Sequence, residues 1–143
     1  MSSIESPTAA FRSQRVLLVD ADADADADAQ ASEVLATLLR LSSPGVTTAS
    51  AHGSRAAAAL AQEFRPDVAI IDLGWRTASG AVCAGAVLAG CAGSRPLMIA
   101  LMANHPRGDG IEPSSLFDHV LPKPLELRDL MILIAKQGQL AWH

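Results

Sequence analysis

The sequence predicts an α/β domain built on a five-stranded parallel sheet with helices on both faces. Three observations carry this. Short apolar runs recur along the chain at Val16–Val19, Val46–Ala49, Val68–Ile71, Leu97–Leu101 and Val120–Leu121, with longer segments between them. Runs such as VLLV, VAII and LMIAL are apolar at every position, which is the pattern of strands covered on both sides, whereas strands covered on one side alternate. Half of the 143 residues are apolar but only 3% are aromatic and Tyr is absent, so the core is Leu, Val, Ile and Ala packed in layers. The length suits one domain that buries well over half the surface of its unfolded chain.

Taken in order, residues 1–14 read as a flexible N-terminal tail, with no apolar stretch of the kind a secretory signal needs. The first strand enters the repeat DADADADAD, in which Asp20, Asp22, Asp24, Asp26 and Asp28 alternate with alanines. Ala31, Val34, Leu35, Leu38, Leu39 and Leu41 then form one apolar helical stripe, ended by the turn cluster Ser42-Ser43-Pro44-Gly45. After the second strand, Ser54 is placed to cap a helix over Arg55 to Phe64, which Arg65-Pro66-Asp67 stops before the third strand. The next helix, about Ala81 to Ala89, is made of Ala, Val, Cys and Gly, so it can lie close to the sheet. Between Met102 and Asp118 the four residues Pro106, Gly108, Gly110 and Pro113 interrupt any periodicity, so a fourth crossover helix is expected to be short or missing. The closing helix, Leu125 to Lys136, places Leu127, Leu130, Met131 and Ile134 on one face. The domain is expected over 15–137, with 138–143 as a C-terminal tail.

Charge and cysteine content exclude several classes. A net charge of −4, with Lys and Arg scattered, lacks the basic stripe of a nucleic-acid binder. The longest small-apolar stretch, GAVCAGAVLAGCAG, is shorter than the roughly 18–20 residues of a membrane span, so no membrane partner is expected. Cys83 and Cys91 lie eight residues apart, about 12 Å along a helix, beyond the roughly 7 Å that a disulfide tolerates. They are expected to be reduced, buried thiols in a cytoplasmic protein. His52, His105, His119 and His143 show no ligand spacing and read as solvated or loop residues.

In open parallel sheets, ligands bind beyond the carboxyl ends of the strands. Asp20 ends the first strand, Asp72 ends the third in PDVAIIDLGW, and Lys123 follows the fifth in VLPKPLEL. In strand order 2-1-3-4-5 the two aspartates face each other and the lysine approaches them. Paired carboxylates repel unless a cation screens them, and Mg²⁺ accepts one or two carboxylates, a carbonyl and waters. A carboxylate so placed can attack phosphorus. The repeat also approaches a calcium loop: counting from Asp22, Asp24 and Asp26 fall at its third and fifth positions and Glu33 at the twelfth. Ala27 replaces the turn glycine, however, and a strand precedes the loop in place of a helix.

RVLLVDAD, FRPDVAIIDLGW, Gly80, PLMIALM and LPKPLELRDL together resemble the CheY-like receiver domain of bacterial two-component response regulators, over about Arg15 to Ala135. The resemblance implies the doubly wound CheY-like, flavodoxin-like fold in strand order 2-1-3-4-5. It implies that Asp72 is the phospho-acceptor, that Asp20, Asp22, Asp72 and the Gly74 carbonyl hold Mg²⁺, and that Lys123 contacts the phosphoryl group. It also implies a cis Lys123–Pro124 bond, a histidine kinase or phosphotransfer protein as donor, a downstream protein partner, and no enzymatic activity beyond phosphorylation and dephosphorylation of Asp72 itself. A homodimer is compatible with it. The family's second acid directly after Asp20 is Ala21 here, its Thr or Ser after strand four is Met102, and its strand-five aromatic is Val120. The Leu-Pro that usually follows the acceptor is Trp75-Arg76, which would sit on the pocket rim, capping the site or touching phosphate.

Two functions are compatible with these residues: a stand-alone receiver that is phosphorylated at Asp72 and signals atypically, or a pseudo-receiver that acts as a protein-interaction module without phosphorylation. A flavodoxin-like small-molecule binder is a third reading, disfavoured by the lack of a Gly-rich first loop. The Asp repeat reads as an enlarged loop before the first helix, with Asp26 or Asp28 as its cap.

Overall fold

The computed structural model describes residues 14–21, 26–43, 45–74, 77–102 and 116–140; at 26–32, 74, 77–79 and 138–140 it describes the backbone alone. Strands β1 (Gln14–Asp20), β2 (Val46–His52), β3 (Val68–Gly74), β4 (Leu97–Met102) and β5 (His119–Pro122) form one sheet in the order β2-β1-β3-β4-β5. Every pairing is parallel. Helices α1 (Asp26–Ser42), α2 (Gly53–Phe64), α3 (Thr77–Gly90) and α4 (Leu127–Leu140) connect or close the strands. The predicted fold class and strand order are those observed. The Pro- and Gly-rich segment at 103–115, where a fourth crossover helix is expected to be short or missing, lies outside the described residues, as do 1–13 and 141–143.

The alternation of side chains along each strand divides the core in two. Leu17, Val19, Ala69, Ile71, Met98 and Ala100 face α2 and α3, whose own contributions, Ala57, Ala61, Cys83, Ala84 and Val87, are mostly small. Small side chains let these helices sit close: a Cβ on Gly90 would come within 2.7 Å of the Ala58 carbonyl oxygen and 3.2 Å of Ala61 Cβ. On the opposite face Val16, Leu18, Val68, Ile70, Ile99 and Leu101 meet Ala36 and Leu39 of α1 and Leu130 and Ile134 of α4. Both cysteines are free and buried, as expected. Burial pushes both thiols above their ordinary value; the Asp20 carboxylate adds to this at Cys83, and Arg65 partly offsets it at Cys91.

Several boundaries differ from the sequence reading. β2 runs on to His52, so Ser54 is not a cap: His52 holds the N-cap position in extended backbone and makes no side-chain capping bond. Gly53 makes the turn with φ 85°, a conformation that glycine adopts without penalty. The helix ends as expected, at Arg65, whose left-handed backbone turns its N–H onto the Ala61 carbonyl at 3.0 Å. α1 starts at Asp26, so Asp28 lies within its first turn and is not the cap. Its apolar arc is wider than the sheet can cover: Ala36 and Leu39 are buried, but Val34, Leu38 and Leu41 are 58%, 41% and 77% exposed. α3 begins at Thr77, four residues before the predicted Ala81, because Thr77-Ala78-Ser79-Gly80 carries no apolar period. α4 begins at Leu127 and continues to Leu140, into the segment expected as a tail, and buries Leu130 and Ile134 as predicted.

β5 is short and exposed, and one aspartate fastens its start. Asp118 accepts from Arg95 Nη1 at 2.9 and 3.0 Å and from the Met98 N–H at 2.8 Å. The ion pair is partly exposed and water screens it, whereas the bond to the strand N–H is partly buried. Asp118→Ala is expected to cost about 1–2 kcal/mol in urea unfolding and Arg95→Ala less than about 1 kcal/mol; equal losses would place the stabilisation in the ion pair instead.

Candidate functional site

The parallel register brings the predicted residues to one edge of the sheet. Asp20 is the last residue of β1 and is paired with Asp72 on β3. Past the pair, the Ala21 N–H donates to the Asp72 carbonyl at 3.2 Å. Asp20 is 2% exposed and the Asp72 side chain 15%. Beyond Asp72 the register with β4 slips by one residue, so that Asp72 faces Leu101 and Gly74 faces Met102. A bulge of this kind bends the strand away from the sheet and re-aims the residues beyond it. Leu73, the extra residue, is buried against Gly80, where any Cβ would run into Leu73 Cδ2.

Lys123 reaches the same point from the far side. Its N–H donates to the Met102 carbonyl at 2.9 Å, which ties the chain after β5 to the end of β4. The Lys123–Pro124 bond is cis. The Lys123 Nζ then donates to Asp72 Oδ1 at 2.6 Å, a charge-assisted bond with the lysine side chain 32% exposed. Residues from β1, β3 and the end of β5 therefore meet, although 51 positions separate Asp72 from Lys123 in the chain.

His52 joins this edge, although its spacing in the sequence gives no sign of it. Expected as a solvated or loop residue, it is paired by the register with Asp20, and its Nδ1 lies 3.8 Å from Asp20 Oδ2. The second strand ends three residues later than predicted and thereby carries His52 to the same edge. Met102 is half-buried against the core and has no hydroxyl to offer, and Val120 is 42% exposed on β5. Asp22, Trp75 and Arg76 lie outside the described residues.

As a donor set, two aspartates on adjacent strand ends with the nearby Gly74 backbone fit a hard divalent cation, which takes oxygen ligands and keeps several waters. Among the described residues, no three His, Cys, Asp or Glu side chains are grouped closely enough to hold a metal by themselves. No helix of the described residues is long and apolar enough to cross a membrane.

No family model matches the sequence, and no curated protein does. Solved structures do. A CheY-like response-regulator receiver domain from Methylobacillus flagellatus is 22% identical, with TM-score 0.65 over 87% of this chain and 98% of that one. One from Methanospirillum hungatei is 21% identical, with TM-score 0.63 over 85% and 91%. The receiver domain of a sensor histidine kinase from Pseudomonas aeruginosa, with a magnesium ion coordinated in its active-site cleft, is 22% identical, with TM-score 0.61 over 87% and 97%. Likeness at these identities speaks for the backbone, and with the order β2-β1-β3-β4-β5 it gives this chain the CheY-like receiver fold, in which Asp20 at the end of β1 is paired with Asp72 on β3.

Proposed function

We propose that this domain receives a phosphoryl group on Asp72 in two-component signalling. The observation that carries the reading is the 2.6 Å bond from Lys123 Nζ to Asp72 Oδ1 beside the buried Asp20. A carboxylate oxygen of Asp72 attacks phosphorus, the bond from phosphorus to the donor's nitrogen or oxygen breaks, and an acyl phosphate forms as the donor group leaves with its electron pair. Lys123 follows the charge from the carboxylate onto a phosphoryl oxygen, where a point cation on a flexible stem suits the task. Asp20, Asp72 and the Gly74 carbonyl would hold Mg²⁺, with Asp22 as a further carboxylate; the ion would supply neutralisation of the charge gathered on the phosphoryl oxygens. The donor is a histidine kinase or a phosphotransfer protein, and the output passes to a protein partner in the cytoplasm. The domain's own chemistry is limited to gaining and losing that group.

Signalling after phosphorylation is atypical in this reading. Met102 cannot donate a hydrogen bond to the phosphoryl group, and Val120 offers no ring to reorient. The same two residues support the second reading, a pseudo-receiver that binds its partner without phosphorylation. The test is incubation with Mg²⁺ and acetyl phosphate, followed by intact-mass measurement. Gain of one phosphoryl group by the wild type and none by Asp72→Ala supports the receiver; no adduct at any donor concentration leaves the pseudo-receiver.

A further inference from the structure

The face of the sheet covered by α1 and α4 holds a cavity. The two helices leave between them an apolar space of about 320 Å³ that reaches down to the sheet. Leu18, Ile70 and Leu101 line it from the sheet. Val34 and Leu38 of α1 line one side and Leu125 the other. These are α1 residues that the sheet fails to cover, so their exposure and the cavity are one feature. Lys123 and Asp72 stand at its polar end, and among the described residues they are the only charged ones that line it.

We propose that this cavity binds a small uncharged amphiphile, a medium-length hydrocarbon tail with one carbonyl or hydroxyl head that accepts a hydrogen bond from Lys123. The volume lies at the small end of the range of about 300–1,000 Å³ for small-molecule pockets, and a helix about 10–12 Å across does not fit. An apolar pocket of this kind favours apolar occupants, because burying them removes apolar surface from water. The electrostatics select the head group. An ammonium carries three donors, of which Lys123 gives one to Asp72, and its side chain is 32% exposed, so donors remain for a ligand. A carboxylate head would be a third negative group beside Asp72 and Asp20, and an ammonium head would be repelled by Lys123 while competing with it for Asp72. A neutral acceptor meets neither repulsion. Binding of this kind does not depend on whether Asp72 accepts a phosphoryl group.

The test is calorimetric titration of the full chain with decanamide below its aggregation limit, beside decanoate and decylamine. Saturable one-site binding is expected, with decanamide the tightest of the three. Leu38→Trp and Val34→Trp fill the mouth from exposed positions that tolerate a larger side chain, and each is expected to weaken binding at least about tenfold. Lys123→Met should weaken decanamide about three- to tenfold, the loss of one hydrogen bond. Val82→Trp, on the exposed side of α3, should change nothing. Absence of saturable binding, or binding that neither tryptophan alters, overturns the site. Decanoate or decylamine binding more tightly than decanamide overturns the head-group assignment.

Discussion

Lys123→Ala is expected to slow phosphoryl transfer from acetyl phosphate to Asp72 by on the order of 10²- to 10³-fold, the usual consequence of removing one preorganised donor from developing phosphoryl or oxyanion charge. The lysine is already aimed: its Nζ is 2.6 Å from Asp72 Oδ1, and its backbone is held by the Met102 carbonyl. Little reorganisation is needed when charge moves from the carboxylate to the phosphoryl oxygens. Without Lys123, Asp72 would also face the buried Asp20 with its 2.6 Å counterion removed. Lys123→Arg keeps the charge but replaces a compact ammonium with a planar fork, so it should recover only part of the rate. Rates come from the time course of the intact-mass adduct. A Lys123→Ala protein that is phosphorylated at the wild-type rate would assign the lysine to holding the apo site together and to no part of the transfer.

The second large effect separates the two faces of the core. Leu17 and Leu18 are neighbours on a central strand and both are buried, but Leu17 faces the tight layer of α2 and α3 and Leu18 lines the cavity. Truncating a leucine to alanine costs the lost transfer energy plus a term for the void, about 2–5 kcal/mol in all. In the tight layer every atom removed had partners on all sides, and close-packed small residues cannot collapse into the space. Next to an existing cavity part of those contacts was never made. Leu17→Ala is therefore expected near the upper end, about 4–5 kcal/mol, and Leu18→Ala near 2–3 kcal/mol, in urea or thermal unfolding. Equal losses would mean that the two faces are packed equally well, contrary to the cavity.

The site was readable to the extent that it depends on strand ends. Asp20 and Asp72 each close an uninterrupted apolar run, and Lys123 comes just after the last one, so a parallel sheet is enough to bring them near one edge. His52 was not readable on the same grounds: Val46–His52 reads VTTASAH, whose polar residues hide where the strand stops. The bulge after Asp72 was not readable either, since a one-residue slip leaves no mark in an apolar run.

The sequence by itself determined the layered α/β architecture, the five strands, the reduced cysteines and the strand-end residues Asp20, Asp72 and Lys123 that meet at one edge of the sheet. These depend on local pattern, because a strand covered on both faces must be apolar throughout and polar groups collect where it ends. Tertiary structure alone decided which part of the α1 apolar arc is covered. Val34, Leu38 and Leu41 belong to the same periodic stripe as Leu39, and nothing in their spacing says that the sheet stops short of them. Their exposure depends on where α4 comes to rest, and that distance is set by the side chains of both helices and by the sheet between them. A sum over several elements has no local signature, and it is this sum that leaves a cavity open beside Asp72 and Lys123.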